Sequence, residues 1–347
     1  MKDKYGRTIE YLRISVTDRC DLRCRHCMPP EGVPLMAHGD ILSYEEIAAV
    51  AAEAAKLGIR KIRLTGGEPL VRPQLAALVE LLRGIPGIDQ VVLTTNGVGL
   101  AQQLPDLLAA GLSGVNFSLN AMDRKAYEAF TGRDCFDAAM AGLHAALDAP
   151  GLSVKINCVP TKGREDQVLK IASLARDTRA SVRFIELMPI GMGSSLQGLN
   201  REELFGLLES RYCPEGWRQG GAGAPSGSEG MPEGALTPGP RGTAPDSVPG
   251  PAEYVRFPGF TSEIGFISAV SHRFCEDCNR IRLTADGRLK SCLAFPAGED
   301  VKTILRSGAG EEALRESIVR CIQNKPKQHT FGCQETEEQR LMSQIGG

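Results

Sequence analysis

The chain has 347 residues, 42% hydrophobic and 24% charged, enough for one large α/β unit with an extension. A formal net charge of −2 provides no global positive field for a nucleic-acid backbone, and no apolar run is long enough to span a bilayer. The charged start MKDKYGRTIEYL is unlike a secretory leader. The eleven cysteines are therefore expected in a reducing compartment, the cytoplasm or, in a eukaryote, an organelle matrix, where close clusters more often hold metal than pair as disulfides.

In chain order, β-branched runs at 9–16, 59–64, 90–94, 114–119, 153–159 and 182–187 alternate with helix-period segments. The first helical segment, SYEEIAAVAAEAAKLG, opens with a capping candidate at Ser43 and stops at Gly58. Strand and helix repeated six times predict a partial parallel (β/α)6 barrel over residues 1–200. Residues 201–347 are expected to form a β-rich and helical extension with a terminal helix near 311–324. Within it, 214–251 is nearly half Gly or Pro and reads as a flexible insertion.

The strands carry a second signal. Arg13, Ser15 and Thr17 alternate with Leu12, Ile14 and Val16, and Lys61, Arg63 and Thr65 alternate with Ile62 and Leu64. Asn116 and Ser118, then Lys155 and Asn157, repeat the pattern. Alternate residues face opposite sides of a strand, so one polar set should line the barrel interior while the apolar set meets the helices. Interior Arg13, Arg63 and Lys155 would need a large anion; otherwise they face solvent on a sheet edge. The sixth strand does not fit the pattern, because Arg183 and Glu186 fall on opposite faces.

Cys20, Cys24 and Cys27 form a CxxxCxxC set directly after the first strand. Iron–sulfur clusters take cysteine thiolates and usually four of them, so three ligands leave one iron open to another molecule. A zinc Cys3His site using His26 is the structural alternative, at the cost of a sharp bend in the loop. Cys275, Cys278 and Cys292 form a second set of three, brought together by an expected hairpin with Ala285-Asp286-Gly287 as its turn. His272 offers a zinc alternative there as well. Cys135, Cys158, Cys213, Cys321 and Cys333 lie outside both sets and are read as inert thiols.

The first motif, followed by GGEP at 66–69, TTNG at 94–97 and SLN at 118–120, resembles the radical S-adenosylmethionine superfamily. Both sets together, with LRISVTDRC, KIRLTGGEPL, VRFIELMP, FCEDCNRIRLTADGRLKSCL and the final Gly346-Gly347, resemble the GTP 3′,8-cyclase family of molybdenum cofactor biosynthesis over nearly the whole chain.

That resemblance implies two 4Fe-4S clusters, S-adenosylmethionine contacted by His26, Gly67, Ser118 and Met188, and GTP contacted by Arg13, Arg63, Thr94, Lys155, Arg280, Ile281 and Arg282. It implies catalytic roles for Gly346, Gly347, Arg280 and Arg282, an electron donor, and a downstream cyclic pyranopterin monophosphate synthase. The net charge and the apolar pattern point to neither a nucleic-acid nor a membrane partner. His26 stands where many members have tyrosine, Asn120 where an acid is usual, and 325–345 matches nothing in the family pattern. A peptide-modifying maturase and a zinc-stabilised scaffold are the rival readings.

Overall fold

The computed structural model describes residues 1–213, 250–331, 338 and 340–346. The predicted insertion thus lies outside the described residues except at 250–251, as do Cys333 and Gly347.

The six expected strands form as β1 (Tyr11–Ser15), β2 (Lys61–Thr65), β3 (Gln90–Thr95), β4 (Gly114–Ser118), β5 (Ser153–Cys158) and β6 (Ser181–Ile185). All are parallel and neighbour one another in chain order. Helices connect them, as parallel strands require. The helix Tyr44–Lys56 starts where Ser43 and Glu46 exchange side-chain and backbone hydrogen bonds as a capping box.

The C-terminal region does not stand apart from this sheet. Its strands are β7 (Glu253–Val255), β8 (Ile264–Ile267), β9 (Arg280–Leu283), β10 (Arg288–Lys290) and β11 (Glu299–Asp300). Strand β8 adds in parallel to β6, and β9 adds in parallel to β1. Among the described residues the result is one 11-stranded sheet, ordered β11-β10-β9-β1-β2-β3-β4-β5-β6-β8-β7.

Leu12, Ile14, Ile62 and Leu64 bury against the helices in the main core, while Arg13, Lys61, Arg63 and Thr65 line a cavity on the other face. This is the two-residue alternation acting as expected. The sixth strand departs from the expectation: Arg183 and Glu186 both line the cavity. Strand β6 ends at Ile185, so alternation no longer governs Glu186, whose carboxylate instead accepts from the N–H groups of Val270 (2.7 Å) and Ser271 (2.9 Å).

The terminal helix runs Gly310–Gln323. Beyond it the chain returns to the sheet, where Glu338 makes a fully buried ion pair with Lys290 of β10. A last helical turn, Met342–Ile345, puts Met342 and Ser343 on the cavity wall. Among the described residues, no helix is long and apolar enough to cross a membrane.

Candidate functional site

One cavity of about 330 Å³ is lined by all six cysteines of the two sets. The topology separates them along the strand axis. Cys20, Cys24 and Cys27 follow the C-terminal end of β1, whereas Cys278 immediately precedes the start of β9, which pairs Arg280 with Tyr11 at the start of β1. Strand β10 runs antiparallel to β9, so Cys292, just past its end, returns to the same end as Cys278. Tyr11 to Ser15 alone spans roughly 13 Å at the usual rise per residue, so the two sets sit at opposite ends of the inner face.

The first loop is fastened to two neighbouring turns. Gly67 N–H donates to Thr17 O (2.8 Å) and Glu68 N–H to Arg19 O (2.8 Å). This approach needs glycine, because a Cβ at Gly67 would lie 2.2 Å from Arg19 O. The Glu68 carboxylate accepts from Leu70 N–H (3.0 Å), Thr95 Oγ1 (2.7 Å) and Asn96 N–H (2.6 Å), while Asn96 Nδ2 donates to Asp21 (2.6 Å). Burial pushes the Glu68 carboxyl up to about 7 in spite of those bonds.

Burial also pushes Cys20 and Cys27 up to about 12 and Cys24 well above its ordinary value. His26 packs its ring on Phe130 (5.3 Å), and burial takes it down to about 4, so it is neutral at pH 7. Its Nδ1 is buried without a hydrogen-bond partner.

Between the two ends lies a row of cations. Register places Arg282, Arg13 and Arg63 side by side on β9, β1 and β2. Neighbouring strands are roughly 4.8 Å apart, so three guanidinium groups share one small volume. Burial, then the charges of Arg282, Arg63 and Arg280, pushes Arg13 well below its ordinary value; burial and Arg280 bring Arg282 to about 10. Arginines keep their protons in proteins, so this crowding of buried positive charge is relieved by an incoming anion.

Across the sheet, buried Lys155 lines the same cavity, and Arg183 is held by Asn157 Oδ1 (2.7 Å) and Asn116 Oδ1 (2.8 Å). Thr94 Oγ1 is buried with no hydrogen-bond partner.

At the far end, Cys275–Asp277 forms a short turn, and Arg7 donates from Nη1 to Cys275 O (2.8 Å). Burial would push the Cys278 thiol up. The charges of Lys325 and Arg280, with hydrogen bonds from the Arg280 N–H and the Lys325 side chain, more than offset it and hold the thiol at about 6. His272 is exposed and faces Ser271 Oγ (3.2 Å), away from the cysteine cavity.

His26, Gly67, Ser118, Met188, Arg13, Arg63, Thr94, Lys155, Arg280 and Arg282 all line the cavity. Ile281 does not: its side chain is fully buried in the core on the opposite face of β9, which leaves only its backbone for a ligand. Gly346 adopts φ +72°, its carbonyl accepts from Arg282 Nη1 (3.0 Å), and a Cβ there would come 2.9 Å from both Ser15 Cβ and Thr65 Oγ1.

Lys61, Arg183, Glu186, Lys325 and His329 also line the cavity. Strand alternation flags Lys61 and Arg183; no local pattern flags Glu186, Lys325 or His329.

The donor set fits iron–sulfur clusters. Among the described residues, no three His, Cys, Asp or Glu side chains gather as ligands of a single ion. A cluster asks for less convergence, since each thiolate takes a different iron. Two sets of three thiols on the wall of one cavity would each hold such a cluster with one iron left free for a further ligand.

Residues 14–175 match the Radical SAM superfamily, and residues 239–331 match Molybdenum Cofactor Synthesis C. Among curated relatives, a protein of Moorella thermoacetica is 42% identical and one of Desulforamulus reducens 40% identical, each over all of both chains; both are named GTP 3′,8-cyclase. The solved structure of Streptococcus suis SuiB bound to S-adenosylmethionine superposes with a TM-score of 0.55 at 14% identity, covering 90% of this chain and 68% of that one. That likeness speaks to the fold.

Proposed function

This chain belongs to the GTP 3′,8-cyclase family of radical S-adenosylmethionine enzymes, and we propose that the cavity lined by both cysteine sets performs that cyclisation with the roles that follow. The observation that carries the assignment of roles is the arginine row Arg282-Arg13-Arg63, set between two three-cysteine loops. A nucleoside triphosphate is the size and charge of anion such a row calls for.

Cys20, Cys24 and Cys27 would hold one 4Fe-4S cluster, and Cys275, Cys278 and Cys292 the other. With S-adenosylmethionine bound at the first and one electron from an outside donor, cleavage of the C5′–S bond would give methionine and a 5′-deoxyadenosyl radical able to take hydrogen from ribose C3′, which opens the way to the C3′–C8 bond.

The chain's own part is to bind, orient and exclude water. His26 and the Gly67 backbone, with Ser118 and Met188, form the wall against which the methionine and adenosine portions lie. Arg13, Arg63 and Lys155 hold the triphosphate, with Thr94 offering a hydroxyl. Arg280 and Arg282, at the second loop, set the guanine end and meet the Ile281 backbone. Positioning of this kind governs rate, since the reacting atoms must stand at near-attack distance. Gly346 completes the enclosure: its backbone threads between Ser15 and Thr65 where any Cβ would collide, and Arg282 holds it there, while Gly347, outside the described residues, is assigned its catalytic role by the family resemblance alone.

In this reading, residues 1–200 serve as the catalytic barrel and 201–347 as the extension that supplies the second site. The setting is the cytoplasm, or an organelle matrix in a eukaryote, where six thiols stay reduced. A separate electron donor feeds the first site, and a cyclic pyranopterin monophosphate synthase takes the product. The test is anaerobic incubation of the reconstituted protein with S-adenosylmethionine, GTP and a reductant. 5′-Deoxyadenosine and 3′,8-cyclo-7,8-dihydro-GTP are the expected products. Absence of cyclised nucleotide from protein carrying both clusters would overturn the proposal.

A further inference from the structure

Lys325 has no part in the roles just given, yet it is among the most enclosed cations of the molecule at 2% exposure. It follows the helix Gly310–Gln323, and its N–H donates to Ile322 O (3.2 Å), so its backbone is fixed by the helix end. Its ammonium donates to Arg280 O (2.8 Å) and Ser291 O (2.7 Å). Those two carbonyls lie at the two arms of one hairpin, two residues after Cys278 and one before Cys292. An ammonium has three donors. The carbonyls take two, and the ammonium so held sets its positive charge on the Cys278 sulfur.

The next two residues extend the brace. Arg7 donates to Pro326 O (2.7 Å) and Lys327 O (3.1 Å) while also holding Cys275 O (2.8 Å). One short segment after the last long helix is thereby tied to the backbone beside all three cysteines of the second set.

We propose that Lys325 is a positioning residue of the second cysteine site, fixing the spacing of Cys278 and Cys292 through their neighbouring carbonyls and holding its charge beside them. This inference rests on the reading that the second set holds a 4Fe-4S cluster. Hydrogen bonds to ligand sulfurs and nearby positive charge both favour the reduced, more negative state of such a cluster. A methionine in place of Lys325 keeps the length and the apolar stem and removes the donors and the charge, whereas arginine keeps the charge.

The experiment compares wild-type, Lys325→Met and Lys325→Arg holoenzymes by iron and sulfide content and by a redox titration followed by EPR. The signal that GTP perturbs identifies the second cluster. In Lys325→Met the second cluster is expected either to titrate at lower potential with full iron, or to be lost, halving the iron. Lys325→Arg is expected to restore the iron and most of the potential, and the first cluster's signal is expected to stay unchanged in both. Full iron with an unchanged midpoint in Lys325→Met overturns the proposal. Equal loss of both clusters in the two variants does so too, since it would make Lys325 a brace for the fold as a whole. If wild-type protein itself holds only one cluster, the failure lies in the reading beneath and not in the role of Lys325.

Discussion

The two cysteine loops offer the same three thiols in opposite electrical surroundings. Around Cys20, Cys24 and Cys27 burial pushes the thiols far up, and Asp21 adds to it at Cys20 and Cys24. Around Cys278 the neighbours are Lys325 and Arg280, and the thiol sits at about 6. A thiolate is the ligand in both cases. Burial opposes thiolate formation at the first loop and at Cys275, whereas the Lys325 and Arg280 charges favour it at Cys278. In the proposed reading the contrast suits the two tasks, a sulfonium cofactor at the first loop and a triphosphate-bearing substrate beside the cations of the second.

The strongest way to break the comparison is to delete each set in turn. Replacing Cys20, Cys24 and Cys27 by alanine is expected to halve the iron and abolish 5′-deoxyadenosine. Replacing Cys275, Cys278 and Cys292 is expected to halve the iron and abolish cyclised nucleotide, with the first cluster's EPR signal intact. If the first triple variant still cleaves the cofactor, the division of labour is wrong.

Nearly as large is the effect expected of Gly346→Ala. The added Cβ meets Ser15 and Thr65, and φ +72° is strained for alanine. Cyclised product should fall to background while both clusters and GTP affinity persist. Product formation at the wild-type rate would make the tail a bystander.

Arg63→Ala and Lys155→Ala probe the cationic ground between the loops. Each removes a charge-assisted contact of about 1.5–3 kcal/mol, or roughly ten- to hundredfold in GTP affinity, measurable by calorimetry. Undiminished affinity in both would remove the triphosphate from this face.

The smallest effect sharpens the contrast directly. In cluster-free protein, Cys278 is mostly thiolate above about pH 6 and protonates below it, whereas Cys20 and Cys27, at about 12, remain thiols through neutrality. Brief iodoacetamide labelling at pH 7, read by peptide mass spectrometry, should therefore mark Cys278 first and lose that preference as pH falls toward 5. Equal labelling of both sets at pH 7 would erase the distinction.

How much of this was legible in the sequence depends on the range of the interaction. Arg13, Arg63 and Lys155 could be assigned to one face because alternation in a strand is a local rule. The rule ran out one residue past β6, where Glu186 is aimed by Val270 and Ser271 instead. Lys325 had no local signature, since its partners Arg280 and Ser291 become neighbours only after the hairpin docks. Ile281 was carried along with the arginines on either side of it, although the same alternation places it on the opposite face. The C-terminal strands were expected to form, yet a short strand does not announce which edge it will join.

That last feature has a consequence for how the protein is made. Strand β1 emerges from the ribosome early, but the strand that covers its outer edge, β9, comes from near the other end of the chain. The outer edge of β6 likewise waits for β8. Until synthesis is almost complete, the nascent barrel exposes two parallel edges, each a template for mispairing, and pairings between distant segments form slowly. Slower translation after Ile185, or a chaperone held on the ribosome through that interval, should raise the yield of soluble enzyme more than either would in a barrel whose edges close in chain order.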